Sequence, residues 1–143
     1  MNDKTVIRIR DFNRFYLSVM EFYEKNYLGS EYSMTESRVL YEIYGHDECS
    51  ADDIVKQLHI DKGYLSRIIK RFENRQILQR KKSEKDARFY KIQLTEKGKQ
   101  TAGELIQKSN QGIKEIIQSL SEKECIQLEE AMDTISRLLA ERN

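Results

Sequence analysis

The spacing of apolar residues predicts that the chain begins with a long helix, from about Lys4 to Tyr27. Two apolar stripes with helical spacing of three and four residues run side by side along it. The first stripe consists of Phe12, Phe15, Val19 and Phe22, and the second of Tyr16, Met20, Tyr23 and Tyr27. A helix with two adjacent apolar stripes must pack against more than one partner.

Three shorter helices are predicted in the middle of the chain. Thr35 is a candidate N-cap of the second helix. Ser50 caps the third, and Asp53 takes the place that Glu usually has in a capping box. After a tight connection at His59–Ile60, Asp61 caps the fourth helix.

The fourth helix has one apolar and one polar face when its residues are placed at about 100° intervals. The apolar face, which we expect in the core, consists of Leu65, Ile68, Ile69 and Phe72. The opposite face consists of Gly63, Arg67, Lys70 and Asn74, with Tyr64 and Ser66 on its flanks and Arg71 near it. Two cations and several hydrogen-bonding groups therefore face away from the core. Asn74 is the candidate for a left-handed position at the end of this helix, where Gln76 stands in place of a capping glycine.

A β-hairpin follows the fourth helix. Ile77–Lys82 and Phe89–Leu94 mix apolar and polar positions in the manner of strands, and the polar Ser83–Arg88 between them is turn-like. The tip of this hairpin is therefore highly charged.

Two further helices complete the prediction. Thr95 begins the fifth, which extends to about Ser119, and Ser121 caps the last, with Glu124 three residues on. Apolar residues of the last helix form a seam over two heptads: Cys125, Leu128, Met132, Ile135 and Leu139.

Composition supports a single, mainly helical domain. The 143 residues include no proline and six glycines, so helix breakers are scarce. No apolar run approaches the roughly 18 residues of a membrane span, and the start MNDKTVIRIRD lacks the apolar region of a signal peptide. We therefore expect a cytoplasmic protein with both cysteines reduced and no membrane partner.

Charge is balanced overall, at +1, but it is divided unevenly along the chain. Residues 60–99 carry a net charge of +8, and the remainder carries −7. A basic stretch within a neutral protein suggests a surface for a polyanion, although a solvated face of scattered Lys and Arg would have the same composition.

A short helix, a tight turn, a second helix and a charged hairpin together form a winged helix-turn-helix. The second helix of such a unit is narrow enough for the major groove of DNA, and a basic wing suits an adjacent minor groove or backbone. The same scaffold can serve as a protein–protein interaction module, although that use seldom needs so much positive charge.

The stretch from Thr35 to Lys99 resembles the multiple-antibiotic-resistance regulator (MarR) family. The resembling segments are MTESRVLYEI, SADDIVKQLHIDKGYLSRIIKRFENRQILQRK and SEKDARFYKIQLTEKG. The D-x-R at Asp86–Arg88, followed by L-T-x-x-G at Leu94–Gly98, is the most specific part. With the flanking helices, the resemblance covers nearly the whole chain.

The resemblance implies a homodimeric transcription regulator that acts as a repressor. We expect neither an enzyme activity nor a cofactor. The dimerisation helices would lie at about 1–30 and 100–143 of a single unit, around a DNA-binding region at about 35–99. The recognition helix 61–74 would enter the major groove of a palindromic operator in double-stranded DNA. Arg88 of the wing 83–88 would enter the minor groove, oriented by Asp86. The expected DNA-binding residues are Lys62, Gly63, Tyr64, Ser66, Arg67, Lys70, Arg71, Lys85 and Arg88.

Relatives in the family often release DNA on binding a small aromatic or anionic effector between the dimer helices and the winged domain. The residues that could line such a pocket are Phe12, Phe15, Tyr16, Val19, Tyr23, Tyr41 and Tyr44. Aromatic residues on a helix are more often plain core. Two alternatives stay open: a pocket for an effector, or a DNA-binding protein regulated only by its own level.

Three other kinds of site have little support. A thiol switch needs an exposed cysteine, for which only Cys49 is a candidate, since Cys125 lies in the apolar seam. His46 and His59 have no His or Cys at metal-ligand spacing, so we expect no metal. No P-loop, H-E-x-x-H, G-x-G-x-x-G or G-x-S-x-G motif indicates catalysis.

Overall fold

The computed structural model describes residues 2–25, 31–46 and 48–140. Within them lie six helices and one two-stranded antiparallel sheet, which confirms the predicted fold class. The elements are α1 Asp3–Tyr23, α2 Met34–Tyr44, α3 Ala51–Leu58, α4 Lys62–Asn74, β1 Leu78–Lys82, β2 Tyr90–Leu94, α5 Glu96–Ile117 and α6 Glu122–Ala140. Tyr27, the predicted end of the first helix, lies outside the described residues.

Side-chain caps fix where most of the helices begin. The predicted caps Ser50, Asp61, Thr95 and Ser121 are confirmed, each accepting a hydrogen bond from the backbone N–H three residues on. Unpaired N–H groups in the first turn would otherwise be left without partners.

The predicted N-cap of α2 is wrong: Ser33, not Thr35, takes that position. Ser33 Oγ accepts from the Glu36 N–H at 3.1 Å, and the Glu36 carboxylate accepts from the Ser33 N–H at 3.3 Å. Ser33 has a glutamate three residues on, which completes a reciprocal capping box, whereas Thr35 has Arg38 there.

The core lies under α4 and joins it to every other element of the winged unit. Leu65, Ile68, Ile69 and Phe72 are all buried, which confirms the predicted apolar face. They pack in one cluster with residues of α2, α3, both strands and the first half of α5. Because one face of α4 is enclosed in this way, its other face must point to solvent.

The turn between α4 and β1 places the wing. Asn74 stays in the helix, so the expectation that it is left-handed is wrong, and Gln76 has the positive φ of 60°. The Gln76 N–H donates to the Glu73 carbonyl and the Ile77 N–H to the Phe72 carbonyl, both at 2.9 Å. This pattern is a Schellman motif, in which the left-handed residue follows the cap; the cap is Arg75, so the position falls on Gln76.

The strands of the wing pair in register, with Leu78 opposite Leu94 and Lys82 opposite Tyr90. The observed strands are one residue shorter at their N-terminal ends than the predicted segments. An isolated bridge adds Cys49 to the outer side of β2, where the Ile92 N–H donates to the Cys49 carbonyl at 2.6 Å. The segment before α3 therefore attaches the wing to the body of the domain.

The flanking helices expose their apolar residues in the single chain. Tyr23 is the buried residue of α1, and α6 has no buried residue. Phe15 and Leu139 are each 64% exposed. Phe12 and Phe15 of the first stripe, and Met132, Ile135 and Leu139 of the seam, therefore stay exposed in the described chain.

A glycine-to-alanine pair in α5 tests the packing beneath the wing. A Cβ at Gly98 would lie 1.9 Å from the Ile77 carbonyl oxygen, whereas at Gly103 it would meet nothing within 4 Å. We expect Gly98→Ala to lower the free energy of unfolding by about 1–3 kcal/mol through overpacking. Gly103→Ala, the control, should leave it unchanged or raise it by up to about 1 kcal/mol. Equal urea midpoints for the two variants would contradict this packing.

Candidate nucleic-acid interface

The exposed face of α4 begins at its N-cap. Asp61 accepts from the Tyr64 N–H at 2.9 Å, which caps the start of the helix. The residues predicted for this face are all exposed: Lys62, Gly63, Tyr64, Ser66, Arg67 and Lys70. The structure thus brings together on one convex surface the groups that the helical spacing assigned to it.

Two side chains on this face are held by their neighbours. The Arg67 guanidinium lies over the Tyr64 ring, 5.7 Å from its centroid. The Ser66 hydroxyl donates to the Lys62 carbonyl of the preceding turn at 3.0 Å. Since its proton is used within the helix, the hydroxyl of Ser66 offers mainly acceptor capacity to a ligand.

Arg71 is placed differently from the other predicted DNA-binding residues. Its Nη1 lies 3.0 Å from an Oε2 of Glu36, whose side chain is buried at the start of α2. Glu36 also forms the capping box of α2, so one carboxylate joins that helix to α4. A buried carboxylate needs such a partner, because removing it would leave an unpaired charge in the core. We therefore assign Arg71 to the support of α4.

The wing carries the predicted pair at its tip. Arg88 Nε and Nη2 donate to the two carboxylate oxygens of Asp86 at 3.2 and 3.1 Å, which is bidentate geometry. These bonds, with one from the Arg88 backbone N–H, hold the pKa of the Asp86 carboxyl below its usual value. The Arg88 side chain remains 85% exposed, so the pair orients the guanidinium without covering it.

Glu48 is a contributor to the wing that the sequence analysis missed. Its carboxylate accepts from Lys91 of β2 and lies 3.9 Å from the Lys85 ammonium at the tip. The hydrogen bond from Lys91 lowers the pKa of Glu48. Glu48 and Lys91 are 43 residues apart, and only the bridge between Cys49 and Ile92 brings them together. No local spacing could have signalled this contact.

The residues predicted to line an effector pocket fall into separate groups. Phe12, Phe15 and Tyr16 are exposed on α1, and Val19 is half-buried there. Tyr23 is 4% exposed and donates a hydrogen bond to Ser109 of α5. Tyr41 is half-buried beside Tyr23 and Ser109, and desolvation is the main cause that raises the pKa of its phenol.

Tyr44, also of that set, lines a cavity of the described residues. The cavity has a volume of about 370 Å³ and lies between the end of α2, β2 and the first turn of α5. Its lining consists of Ile43, Tyr44, His46, Gln93, Leu94 and Lys99. This mixed lining, with Lys99 and His46 beside Ile43 and Leu94, suits a small organic anion.

The two cysteines differ in exposure from what a thiol switch needs. Cys49 is 3% exposed, and desolvation raises the pKa of its thiol to about 11, so the reactive thiolate is disfavoured. Cys125 is half-buried. Among the described residues, no three His, Cys, Asp or Glu side chains are grouped to hold a metal ion. In the same residues, no helix is long and apolar enough to span a membrane.

Comparison with known proteins gives matches for both the sequence and the fold. The model of the MarR family matches residues 32–89. The HTH-type transcriptional regulator BilQ of Clostridioides difficile is 26% identical over 76 residues. Those residues are 52% of this chain and 51% of BilQ, so the match spans about half of each protein.

Solved structures extend the likeness along nearly the whole chain. Streptococcus pneumoniae FabT in complex with DNA has a TM-score of 0.81 and 20% identity, covering 96% of this chain and 99% of that chain. Bordetella bronchiseptica BpsR, whose DNA binding is regulated by 6-hydroxynicotinic acid, has a TM-score of 0.74 and 20% identity, covering 89% and 91%. At 20% identity, these TM-scores show that the proteins share a fold. Residues 32–89 are thus similar in sequence to the MarR family, and the described chain shares its fold with solved structures of MarR proteins.

Proposed function

We propose that this protein is a homodimeric transcription repressor that binds a palindromic operator in double-stranded DNA. The observation that carries the proposal is that the outer face of α4 and the tip of the wing both expose cations: Lys62, Arg67, Lys70, Lys85 and Arg88. The recognition helix 61–74 would lie in the major groove, and the wing 83–88 would follow the adjacent minor groove. Phosphate contacts would supply affinity, and base contacts would supply specificity.

The arrangement of side chains supports this use of the surface. Lys62 and Lys70 stand on the outer face of α4, and Lys85 and Arg88 stand at the tip of the wing, all of them exposed. Arg88 is presented by a bidentate pair, which reduces the conformational entropy lost when it inserts into a narrow groove. Two similar proteins support a role in DNA binding, since FabT was solved in complex with DNA and BilQ is named as a transcriptional regulator.

The exposed apolar faces of the flanking helices support the homodimer. Many large apolar side chains exposed on two helices of one chain favour an interface there. We assign it to the helices within about 1–30 and 100–143, which would pair with the same helices of a second copy. The apolar residues that α6 would contribute include Ile126, Met132, Ile135, Leu138 and Leu139. Two recognition helices related by a two-fold axis would then meet two half-sites.

Selection from random duplex DNA tests the proposal. We expect the purified protein to enrich an inverted repeat whose half-sites lie about 10 bp apart. Arg88→Ala should weaken binding to that site by about 1.5–3 kcal/mol, because a charge-assisted contact is lost. Lys123→Ala, which removes the same charge from α6, is the control and should bind like the wild type.

The alternative function, a protein–protein interaction module, gives a different result in the same experiment. A folded dimer that enriches no sequence, or an Arg88→Ala variant that binds as well as Lys123→Ala, would contradict the proposed role of this surface.

We further propose that a small aromatic carboxylate regulates DNA binding from the cavity beside β2. The Lys99 ammonium lies 3.4 Å from Glu96, but that pair is exposed and therefore weak, so Lys99 can bind a ligand carboxylate. The cavity touches α2, β2 and α5 together, and a ligand there would bias the wing relative to the dimer helices. BpsR, which shares the fold, has its DNA binding regulated by a hydroxynicotinic acid.

Thermal unfolding with benzoate, 2-hydroxybenzoate and 6-hydroxynicotinate tests the effector site. At about 100 times its Kd, a ligand should stabilise the protein by about 2.7 kcal/mol and raise Tm by several degrees. Lys99→Gln should abolish the shift. The Lys97 ammonium of the wild type donates to the Arg75 carbonyl. Lys97→Gln is therefore the control and should retain the shift in Tm. Equal shifts in both variants would place the ligand elsewhere, and no shift in the wild type would favour regulation without these effectors.

A further inference from the structure

The arginines of the winged unit differ in what their guanidinium groups contact. Most are engaged by other protein groups: Arg38 with the Leu58 carbonyl, Arg71 with Glu36, Arg75 with Glu31, Arg80 with Glu73 and Arg88 with Asp86. Within the part of the chain that the structure describes, Arg67 has no carboxylate or carbonyl partner and contacts the ring of Tyr64. Its hydrogen-bond donors are therefore uncommitted.

The position of Arg67 directs those donors toward the first turn of α4. Side chains on a helix lean toward its N-terminus, so Arg67 reaches back over Gly63 and Tyr64. A Cβ built at Gly63 would lie 3.9 Å from Arg67 Nη1, which shows how near the guanidinium is to that turn. The N-terminal residues of a recognition helix are those that approach base edges in the major groove.

Tyr64 limits the freedom of this side chain. With its guanidinium 5.7 Å from the ring centroid, Arg67 loses less side-chain entropy when it binds than a freely rotating arginine would. A preoriented planar group with two parallel donors matches the O6 and N7 acceptors of guanine, and arginine on guanine is the commonest specific contact in the major groove.

We infer that Arg67 reads one guanine in each half-site and that Tyr64 is its positioning residue. This inference rests on the proposed function, and it names the base that the recognition helix requires. The selected half-site should contain a guanine at one fixed position. Arg67 would donate to O6 and N7 of that base while its guanidinium stays against the Tyr64 ring.

Binding to the selected site, with that guanine replaced by each other base or by 7-deazaguanine, tests the inference. We expect the wild type to bind about 5- to 150-fold more weakly when another base stands there, and measurably more weakly with 7-deazaguanine, which lacks N7. Arg67→Ala should bind all of these sites with similar affinity. Lys70→Ala, which removes a cation one turn further along α4, should bind more weakly but keep the preference for guanine.

Two variants of Tyr64 test whether this residue positions Arg67. Tyr64→Phe keeps the ring and should keep the wild-type ratio of affinities for guanine over adenine. Tyr64→Leu removes the ring and should lower that ratio severalfold with no change in Tm. An unchanged ratio in Tyr64→Leu would overturn the role of Tyr64.

The remaining outcomes separate the inference from the proposed function. If Arg67→Ala weakened binding to every base equally, Arg67 would be a phosphate contact, and the inference would be wrong while the operator-binding function stood. A selected site without a guanine requirement would lead to the same conclusion. A protein that selected no sequence would overturn both.

Discussion

The arrangement of the winged unit follows from the burial of one face of α4. Leu65, Ile68, Ile69 and Phe72 are enclosed by α2, α3, the strands and α5. At 3.6 residues per turn, enclosing this face leaves the residues about 180° away exposed to solvent. The direction in which Arg67 and Lys70 point therefore follows from apolar packing and not from their own interactions.

Ion pairs then hold the elements around that core in fixed relation. Glu36 joins α2 to α4 through Arg71, and Glu48 joins the segment before α3 to β2 through Lys91. Asp86 orients Arg88 at the tip of the wing. Each of these carboxylates contacts a cation of the basic stretch without covering the outer face of α4. A chain with a net charge of +1 can thus present a concentrated positive surface.

The sequence predicted the features that depend on local periodicity and local chemistry. Its correct predictions include the two faces of α4, the caps at Ser50 and Asp61, and the hairpin. Each of these features depends on residues that are near one another in the sequence. The N-cap of α2 was misplaced because Thr35 and Ser33 are both good capping residues, and only the reciprocal bond of Glu36 distinguishes them. The contacts of Glu48 and the cavity beside β2 were not predictable, since they join residues that only the tertiary fold brings together.

The proposed function requires that the outer face of α4 and the wing bind the phosphates and bases of DNA. This requirement can be tested through the dependence of the DNA affinity on salt concentration. If each protomer of a dimer neutralises three phosphates, for example through Lys62, Lys70 and Lys85, the log–log slope should be about −5, since each contact contributes about −0.9. The predicted result is a slope of that order, and each phosphate contact that is removed should make the slope shallower by about 0.9. An affinity that stays constant between low and moderate salt would contradict the proposed function.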